Sequence, residues 1–527
     1  IIEKFELLLN EYWDTFLIDT KPKIDIKLAS DTFIIDEINK TVSITILIEN
    51  KKGSSSIDEI KLKILSDNDN IQILDEGNID LYLQGDDQLY FDCSLKLDEE
   101  IINKKGFDIK CEFSYREQAL DNNEKLNKDL PVNLDNEEDF TELNNPYAEY
   151  STGTQVHDAK MFYGRNELIK KLKNSIVNSQ TSVNHLLYGQ KRSGKSSVLF
   201  HLKNGMKDTN ILAVSFSLGE IVENLNINSF YFTILENIRT SIEKKYDDSF
   251  SKDFSFMLDE KYPDISLKKE LERIREDISE KYCCDKICLL IDEFQYIYDQ
   301  IKRGALSDTF MKNWKSFIES NLFSCVLFGQ DTMTRFTEEY PNEFASLEKT
   351  RLDYLDYESA IGLIDEPIID KTKNKSRYYD NDAKVMIVEY TAGNPYYIQK
   401  ICDRLVNWIN LHKIPIITKA TINNIFNSFT NGIERLTSGD FDNLLNPGDE
   451  HLEKISVEDK IDILKQIANM NKLGICNIDD LDPPETANFN ELKEIIRDLN
   501  DRTIIYTDKG NFKIRVKLFE QWLINQS

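Results

Sequence analysis

The hydrophobic positions change their period along the chain. Over residues 1–17, Ile2, Phe5, Leu8, Leu9 and Trp13 recur at helical spacing and predict an N-terminal helix within 1–20. From Lys23 the period becomes two. Ile24, Ile26 and Leu28 alternate with charged residues, as do Val42, Ile44, Ile46 and Ile48, then Ile60, Leu62 and Ile64. Leu89 to Leu97 and Phe107 to Tyr115 repeat the pattern, and Gly, Asn, Asp and Ser turns separate the runs. Short alternating strands at this spacing predict an all-β sandwich over 21–120. The next stretch has another character. Between 121 and 150, nine acidic residues stand against two lysines, with Pro131 and Pro146, which predicts an extended acidic linker placed at 121–158.

Beyond it the apolar runs become continuous, as strands buried on both faces require. Asn184-His185-Leu186-Leu187-Tyr188 reads as a strand, and Ser197-Val198-Leu199-Phe200-His201-Leu202 as the start of a helix. Between them lies Gly189-Gln190-Lys191-Arg192-Ser193-Gly194-Lys195-Ser196, a complete G-x-x-x-x-G-K-[ST] loop in its strand–loop–helix context. The glycines let the backbone turn its N–H groups onto one anion, and the helix N-terminus adds positive potential. In this motif Lys195 reaches the β- and γ-phosphates and Ser196 holds Mg²⁺. Gly189 through Ser197 are therefore the candidate nucleotide-binding residues, with Ser196 also a metal ligand.

A further strand, Lys286-Ile287-Cys288-Leu289-Leu290-Ile291, ends in Asp292-Glu293. Carboxylates at the C-terminal end of such a strand lie where an open α/β sheet places its ligand. Asp292 is the candidate Mg²⁺ ligand and Glu293 the candidate general base for water. The strand Cys325-Val326-Leu327-Phe328 ends in Gly329-Gln330-Asp331, and Gln330 is the candidate γ-phosphate-sensing residue. Further on, Ala360–Ile364, Ala383–Tyr390, Tyr397–Ile409 and Ile422–Phe429 read as helices. Helices at Lys460–Asn471 and about 491–500 precede a hairpin with the turn Asp508-Lys509-Gly510-Asn511 and a closing helix, Phe519–Ile524. These predict a winged helix.

Composition narrows the function. The 527 residues carry a net charge of −28, which opposes broad nucleic-acid binding. The predicted second helix of the winged element carries Glu491, Glu494, Asp498 and Asp501 against Lys493 and Arg497, while its wing carries Lys509, Lys513 and Arg515. No apolar run approaches the roughly 20 residues of a membrane span, and no signal-peptide pattern is present. The eight cysteines form no C-x-x-C pair and sit mostly in apolar runs, as buried thiols of a reducing cytoplasm do.

This order of motifs resembles the STAND and AAA+ branch of P-loop ATPases, the signalling ATPases related to NACHT, NB-ARC and initiator-type proteins. The resemblance covers residues 160–527. Tyr163-Gly164-Arg165 looks like the hydrophobic-hydrophobic-Gly-Arg motif near the base, although Asn166 stands where these proteins often carry Glu. Gly393-Asn394-Pro395 looks like the Gly-x-Pro motif of the helical lid, with Pro395 near the adenine. Arg351-Leu352-Asp353-Tyr354-Leu355 matches the turn that closes the core, with Arg351 or Arg335 as a candidate arginine finger. Separately, the alternating strands of 21–120 resemble, in pattern only, the immunoglobulin-like β-sandwich modules that bacteria attach to larger proteins. Together the two resemblances imply a multidomain protein: that all-β sandwich, then an α/β P-loop core at 159–350, a helical lid at 351–435 and a winged helix at 436–527. The ATPase resemblance implies ATP or ADP with Mg²⁺ as cofactors and slow, trigger-dependent hydrolysis. It also implies self-association in the ATP state, a protein effector or sensor as partner, and a cytoplasmic role in bacterial signalling, by analogy antiviral defence. Two other readings are a DNA-handling initiator- or transposition-type ATPase using the winged helix, and a scaffold that binds nucleotide without turnover.

Overall fold

The computed structural model of the protein describes residues 20–30, 32–36, 39–65, 70–76, 82–85, 87–117, 122–135, 142–247, 258–259, 261–369, 379, 381–413, 417–431, 435–446, 456–472, 474, 476–484 and 488–526. The helix expected over 1–17 lies outside them, except for Thr20 at the end of its assigned range. The chain divides into two units.

The first unit comprises residues 1–148, 364–387 and 400–434. Its strands are β1 (Ile24–Leu28), β2 (Phe33–Asp36), β3 (Thr41–Asn50), β4 (Ile57–Leu65), β5 (Ile71–Glu76), β6 (Tyr82–Leu83), β7 (Asp87–Leu97), β8 (Gly106–Glu117) and β9 (Asn122–Asp135). The ladder runs β5-β7-β3-β2-β9-β8-β4-β6, with β1 on β3. Period-two alternation decides which side chains turn in. Ile44, Ile46 and Ile48 of β3, Phe91, Cys93 and Leu95 of β7, and Ile109, Cys111 and Phe113 of β8 share one buried core. The linker expected from 121 begins instead as the strand β9. Its Leu130, Val132 and Leu134 complete that core while Pro131 and Asn133 between them face out. Because β9 pairs with β2 only at Leu134 and Asp135, Pro131 interrupts no ladder on that side. The segment after 141 is also fixed. Tyr147 is fully buried and donates its hydroxyl to Ile364 O at 2.6 Å, and Asn145 donates to Asp403 Oδ1 at 2.8 Å.

The second unit comprises 149–363, 388–399 and 435–527. The helices expected as one element over 351–435 are therefore shared between the two units. The core is a parallel sheet of β10 (Asn184–Tyr188), β11 (Ile211–Ser217), β12 (Lys286–Asp292), β13 (Ser324–Gly329) and β14 (Glu348–Arg351), in the order β11-β12-β13-β10-β14. Ile287 to Ile291 and Cys325 to Phe328 have no exposed surface, because helices such as Lys195–Gly205 and Ile227–Tyr246 cover the sheet. All five strands run the same way, so the C-terminal ends of β10, β12 and β13 form one edge.

The end of the chain forms helices Val457–Asn471 and Phe489–Asp501, an antiparallel hairpin of β15 (Ile505–Asp508) and β16 (Asn511–Ile514), and helix Lys517–Asn525. Lys509 (φ 50°) and Gly510 (φ 86°) make the two-residue connection, with positive φ at both positions matching the strand twist. Phe519 and Trp522 close on Phe441 at centroid distances of 5.0 and 5.1 Å. None of the eight cysteines is in a disulfide, and Cys283 alone of them is exposed. Burial pushes the Cys288 and Cys402 thiols up to about 12, well away from thiolate chemistry. Among the described residues no helix is long and apolar enough to cross a membrane.

Candidate nucleotide site

The phosphate loop joins β10 to the helix Lys195–Gly205. Gly194, at φ 93°, caps that helix in a conformation that a side chain resists, and Arg192 beside it is also left-handed at φ 63°. Gly189 is needed for a different reason. It passes between two strand ends, donating its N–H to Gly329 O at 3.2 Å, and a Cβ there would lie 2.5 Å from Leu352 O.

Lys195 is 9% exposed and folds onto its own loop, donating to Gly189 O at 2.9 Å and Gln190 O at 2.6 Å. Burial lowers its ammonium from the usual range to about 8, while Asp331, Asp292 and Glu293 oppose that shift. Ser196 Oγ donates to Asp292 Oδ2 at 3.1 Å. A hydroxyl and a carboxylate this close are hard oxygen donors of the kind Mg²⁺ takes, with phosphate oxygens and water filling the remaining positions. The Ser193 hydroxyl, 1% exposed, and the Gln330 side-chain oxygen are buried without hydrogen-bond partners among the described residues. Together with the helix N-terminus, these groups fit a phosphate–Mg²⁺ group.

Glu293 sits at φ 58°, a left-handed conformation costing about 1–2 kcal/mol for a residue with a Cβ. Its own N–H, donated to Asp292 Oδ1 at 2.8 Å, and its carbonyl, accepting from Tyr296 N at 3.0 Å, hold it there. Its carboxylate accepts a hydrogen bond from Ser217 Oγ at 2.5 Å, at the end of β11. Gly219 leaves room for it, since a Cβ there would lie 2.1 Å from Glu293 Oε2. Gln295 completes this edge. It is 1% exposed, and its Oε1 accepts the Gln330 N–H at 3.2 Å. Sequence reasoning did not pick out Ser217, Gly219 or Gln295. Their signal was a polar or glycine residue at or just beyond a buried strand.

The remaining candidates fall in two groups. Gly164 (φ 70°) and Gly393 (φ 78°) converge on Leu355: a Cβ at Gly164 would lie 2.8 Å from Leu355 Cδ2, and Leu355 N donates to Gly393 O at 2.9 Å. Arg165 donates to Asp353 O, Tyr163 is half-buried, and Pro395 opens its helix at the first turn. The finger candidates differ. Arg335 is exposed, on helix Met333–Glu339. Arg351 is engaged in its own chain, with Nη2 3.4 Å from Asp331 Oδ1 and Nη1 donating to Asp501 O at 2.6 Å.

Three of the four variable residues after Gly189 turn outward. Gln190 donates to Arg502 O at 2.6 Å and accepts from Tyr354 OH at 2.8 Å. Lys191 pairs with Asp442 at 3.1 Å. Arg192 stacks on Tyr396 at 4.2 Å and points its Nη1 at Gly439 O and Asp440 O, 3.5 and 3.4 Å away. Ser197 faces the other way, its hydroxyl accepting from Val156 N at 2.9 Å.

Residues 162–401 match a family of ATPase domains described as predominantly from Archaea. No curated protein matches the chain. Among solved structures, a Walker-type ATPase of Pyrococcus abyssi is similar at 14% identity and TM-score 0.44, over 70% of this chain and 98% of that one. The yeast GGA1 GAE domain is similar at 17% identity and TM-score 0.17, over 21% of this chain and 92% of that one. Over residues 162–401 the chain is thus similar to a P-loop ATPase domain, and an all-β region precedes it.

Proposed function

We propose that this protein is an ATP-driven switch of the STAND/AAA+ kind. ATP with Mg²⁺ binds at the loop Gly189–Ser196, with Lys195 and Gln330 on the phosphates and Ser196 and Asp292 on the metal. Glu293 activates the water. The C-terminal helices and hairpin act as a winged helix that closes over the loop, the helices around Gly393–Pro395 act as the lid, and the immunoglobulin-like region serves as an interaction module. The observation that carries this reading is the outward turn of Gln190, Lys191 and Arg192, each held by residues between 396 and 502. A phosphate loop gripped in this way favours one arrangement of the C-terminal element, and a bound nucleotide that perturbs the loop shifts that equilibrium. The hydrogen bond from Ser217 to Glu293 supports slow basal turnover, because it occupies the carboxylate that water needs. Release of the winged helix then permits self-association and signalling to a protein effector, in the cytoplasm and in antiviral defence by analogy with the group.

The DNA-handling reading is weaker. Arg515 of the hairpin is spent on Asp353, at 2.8 and 3.2 Å, and stacks on Tyr354 at 4.3 Å. The test is steady-state ATP turnover of the purified chain with and without duplex DNA, beside Glu293→Gln. The switch expects slow turnover indifferent to DNA, and a loss of about 10²–10⁴-fold in the variant with ATP binding retained. Strong stimulation by DNA would transfer the function to the second reading. Normal turnover in Glu293→Gln would remove the assigned base.

A further inference from the structure

Asp331 follows Gln330 at the end of β13 and is 8% exposed. Burial pushes its carboxyl up, and Arg502, Arg351 and Lys195 together pull it back. These three cations come from different places. Lys195 belongs to the phosphate loop, Arg351 to the end of β14, and Arg502 to the C-terminal element. Arg351 bridges directly: one arm lies on Asp331 and the other donates to Asp501 O. Arg502 is 4% exposed. Its Nη2 donates to Leu444 O at 2.8 Å, while Nε and Nη1 have no hydrogen-bond partner among the described residues. Asp498 lies 3.7 Å from Arg502 Nη1 and is already paired with buried Lys460 at 3.0 Å. The turn at 498–502 is thus held to the core by Arg351 and Gln190, and the same Arg351 lies on the buried Asp331 carboxylate, whose charge Arg502 and Lys195 also favour.

We infer that Asp331 is an internal stand-in for the γ-phosphate, a positioning residue that holds the Arg502 turn closed until a triphosphate replaces it. This deepens the switch reading and rests on it. With a diphosphate or no nucleotide, the Asp331 carboxylate is the anion that Arg351 and Arg502 face. A γ-phosphate arriving beside Lys195 and Gln330 brings a second anion into the same low-dielectric volume. It competes for the same cations and repels Asp331, and the bridge from Arg351 to Asp501 loses its anchor. A diphosphate lacks the group that does this, so the device distinguishes ATP from ADP inside one chain. The surplus donors on Arg502 are what such an exchange of anions requires: a guanidinium with arms in reserve.

The test is hydrogen exchange on the whole chain with Mg²⁺ and either ADP or ATP, in a Glu293→Gln background so that ATP persists. The readout is amide protection over 498–516, with β12 and β13 as internal reference. In the background protein, ATP is expected to lower protection of this segment about 100-fold relative to ADP, on the scale of breaking a buried ion pair. Adding Asp331→Asn, equal in shape but uncharged, is expected to bring the ADP state to the level of the ATP state, leaving less than about a threefold difference between the nucleotides. An undiminished ATP–ADP difference in Asp331→Asn overturns the inference while leaving the switch intact. No ATP–ADP difference in the background protein overturns the switch itself, and the inference with it. Should Asp331→Asn lose protection in β12 and β13 as well, Arg502→Gln decides: an unchanged ATP–ADP difference there overturns the inference, and a collapsed one upholds it.

Discussion

The phosphate loop contains two sets of residues with opposite orientations. Gly189, Gly194, Lys195 and Ser196 face the sheet edge, where Lys195 caps loop carbonyls and Ser196 meets Asp292. Gln190, Lys191 and Arg192 face the C-terminal element. The first set is fixed by what any phosphate requires: a tight turn, a cation and a metal ligand. The second is free to vary under the motif, and this chain uses it to tie the loop to residues up to 312 positions away. On the proposed reading, chemistry resides in the constrained positions and control in the unconstrained ones.

The largest effect that can break this division comes from the inward set. Lys195→Ala removes the buried cation that the proposed site places on phosphate oxygens, with charge-assisted hydrogen bonds of about 1.5–3 kcal/mol. ATP affinity is expected to fall about 100-fold by calorimetric titration, with the fold retained. Affinity within a few-fold of the parent would show that the inward set does not hold the phosphates.

Gln190→Ala is the counterpart in the outward set. It deletes a buried amide and leaves Arg502 O and Tyr354 OH without their partner, at about 1–3 kcal/mol. The loss falls on the docked state of the C-terminal element, so untriggered ATP turnover is expected to rise, by about 30-fold at 2 kcal/mol. Unchanged turnover would mean that the grip on the loop is not what restrains the protein.

How legible these features were in the sequence follows from what each position had to satisfy. Strands β10, β12 and β13 showed themselves because burial on both faces demands continuous apolar residues. Edge strand β14, Glu-Lys-Thr-Arg, is exposed along much of its length and carries no such signal. Strand β9 was hidden by its charged outer face, since its inward residues are confined to Leu130, Val132 and Leu134. The loop and Asp292-Glu293 were legible because their spacing is chemical. The left-handed backbone of Glu293 and its tie to Ser217 were not, because they depend on how β11 lies beside β12, a tertiary relation no local pattern encodes. Nor could the sequence reveal that Arg351, a candidate for reaching a neighbouring chain, is occupied at home by Asp331 and Asp501.

Proton linkage sharpens the account of the inward set. With its folded-state value lowered to about 8 by burial, Lys195 is charged in the free protein below that pH and increasingly neutral above it. Phosphate favours the charged form, so binding above pH 8 takes up a proton. ATP affinity is expected to be flat below pH 8 and to fall about tenfold between pH 7 and pH 9. The same shift has the opposite sign for stability. Between about 8 and 10.5 the unfolded chain holds more protons than the folded one, so this lysine's contribution to stability rises with pH through that window. An affinity flat to pH 9 in the parent chain would place Lys195 in a more solvated environment than its two carbonyl partners indicate.

The smallest effect concerns the tie on the base. Ser217 Oγ donates to Glu293 and at the same time accepts the Gly219 N–H at 3.0 Å, so its orientation is fixed from both sides. Ser217→Ala removes a hydrogen bond worth about 1 kcal/mol net and leaves the Glu293 carboxylate free to meet water. Basal turnover is expected to rise about fivefold in steady-state assays, with ATP affinity unchanged, because the hydroxyl touches the base and not the phosphate loop. The direction is the informative part. A fall in turnover would mean that Ser217 orients Glu293 for catalysis, and the low basal rate expected of the switch would then have to come entirely from the outward grip on Gln190, Lys191 and Arg192.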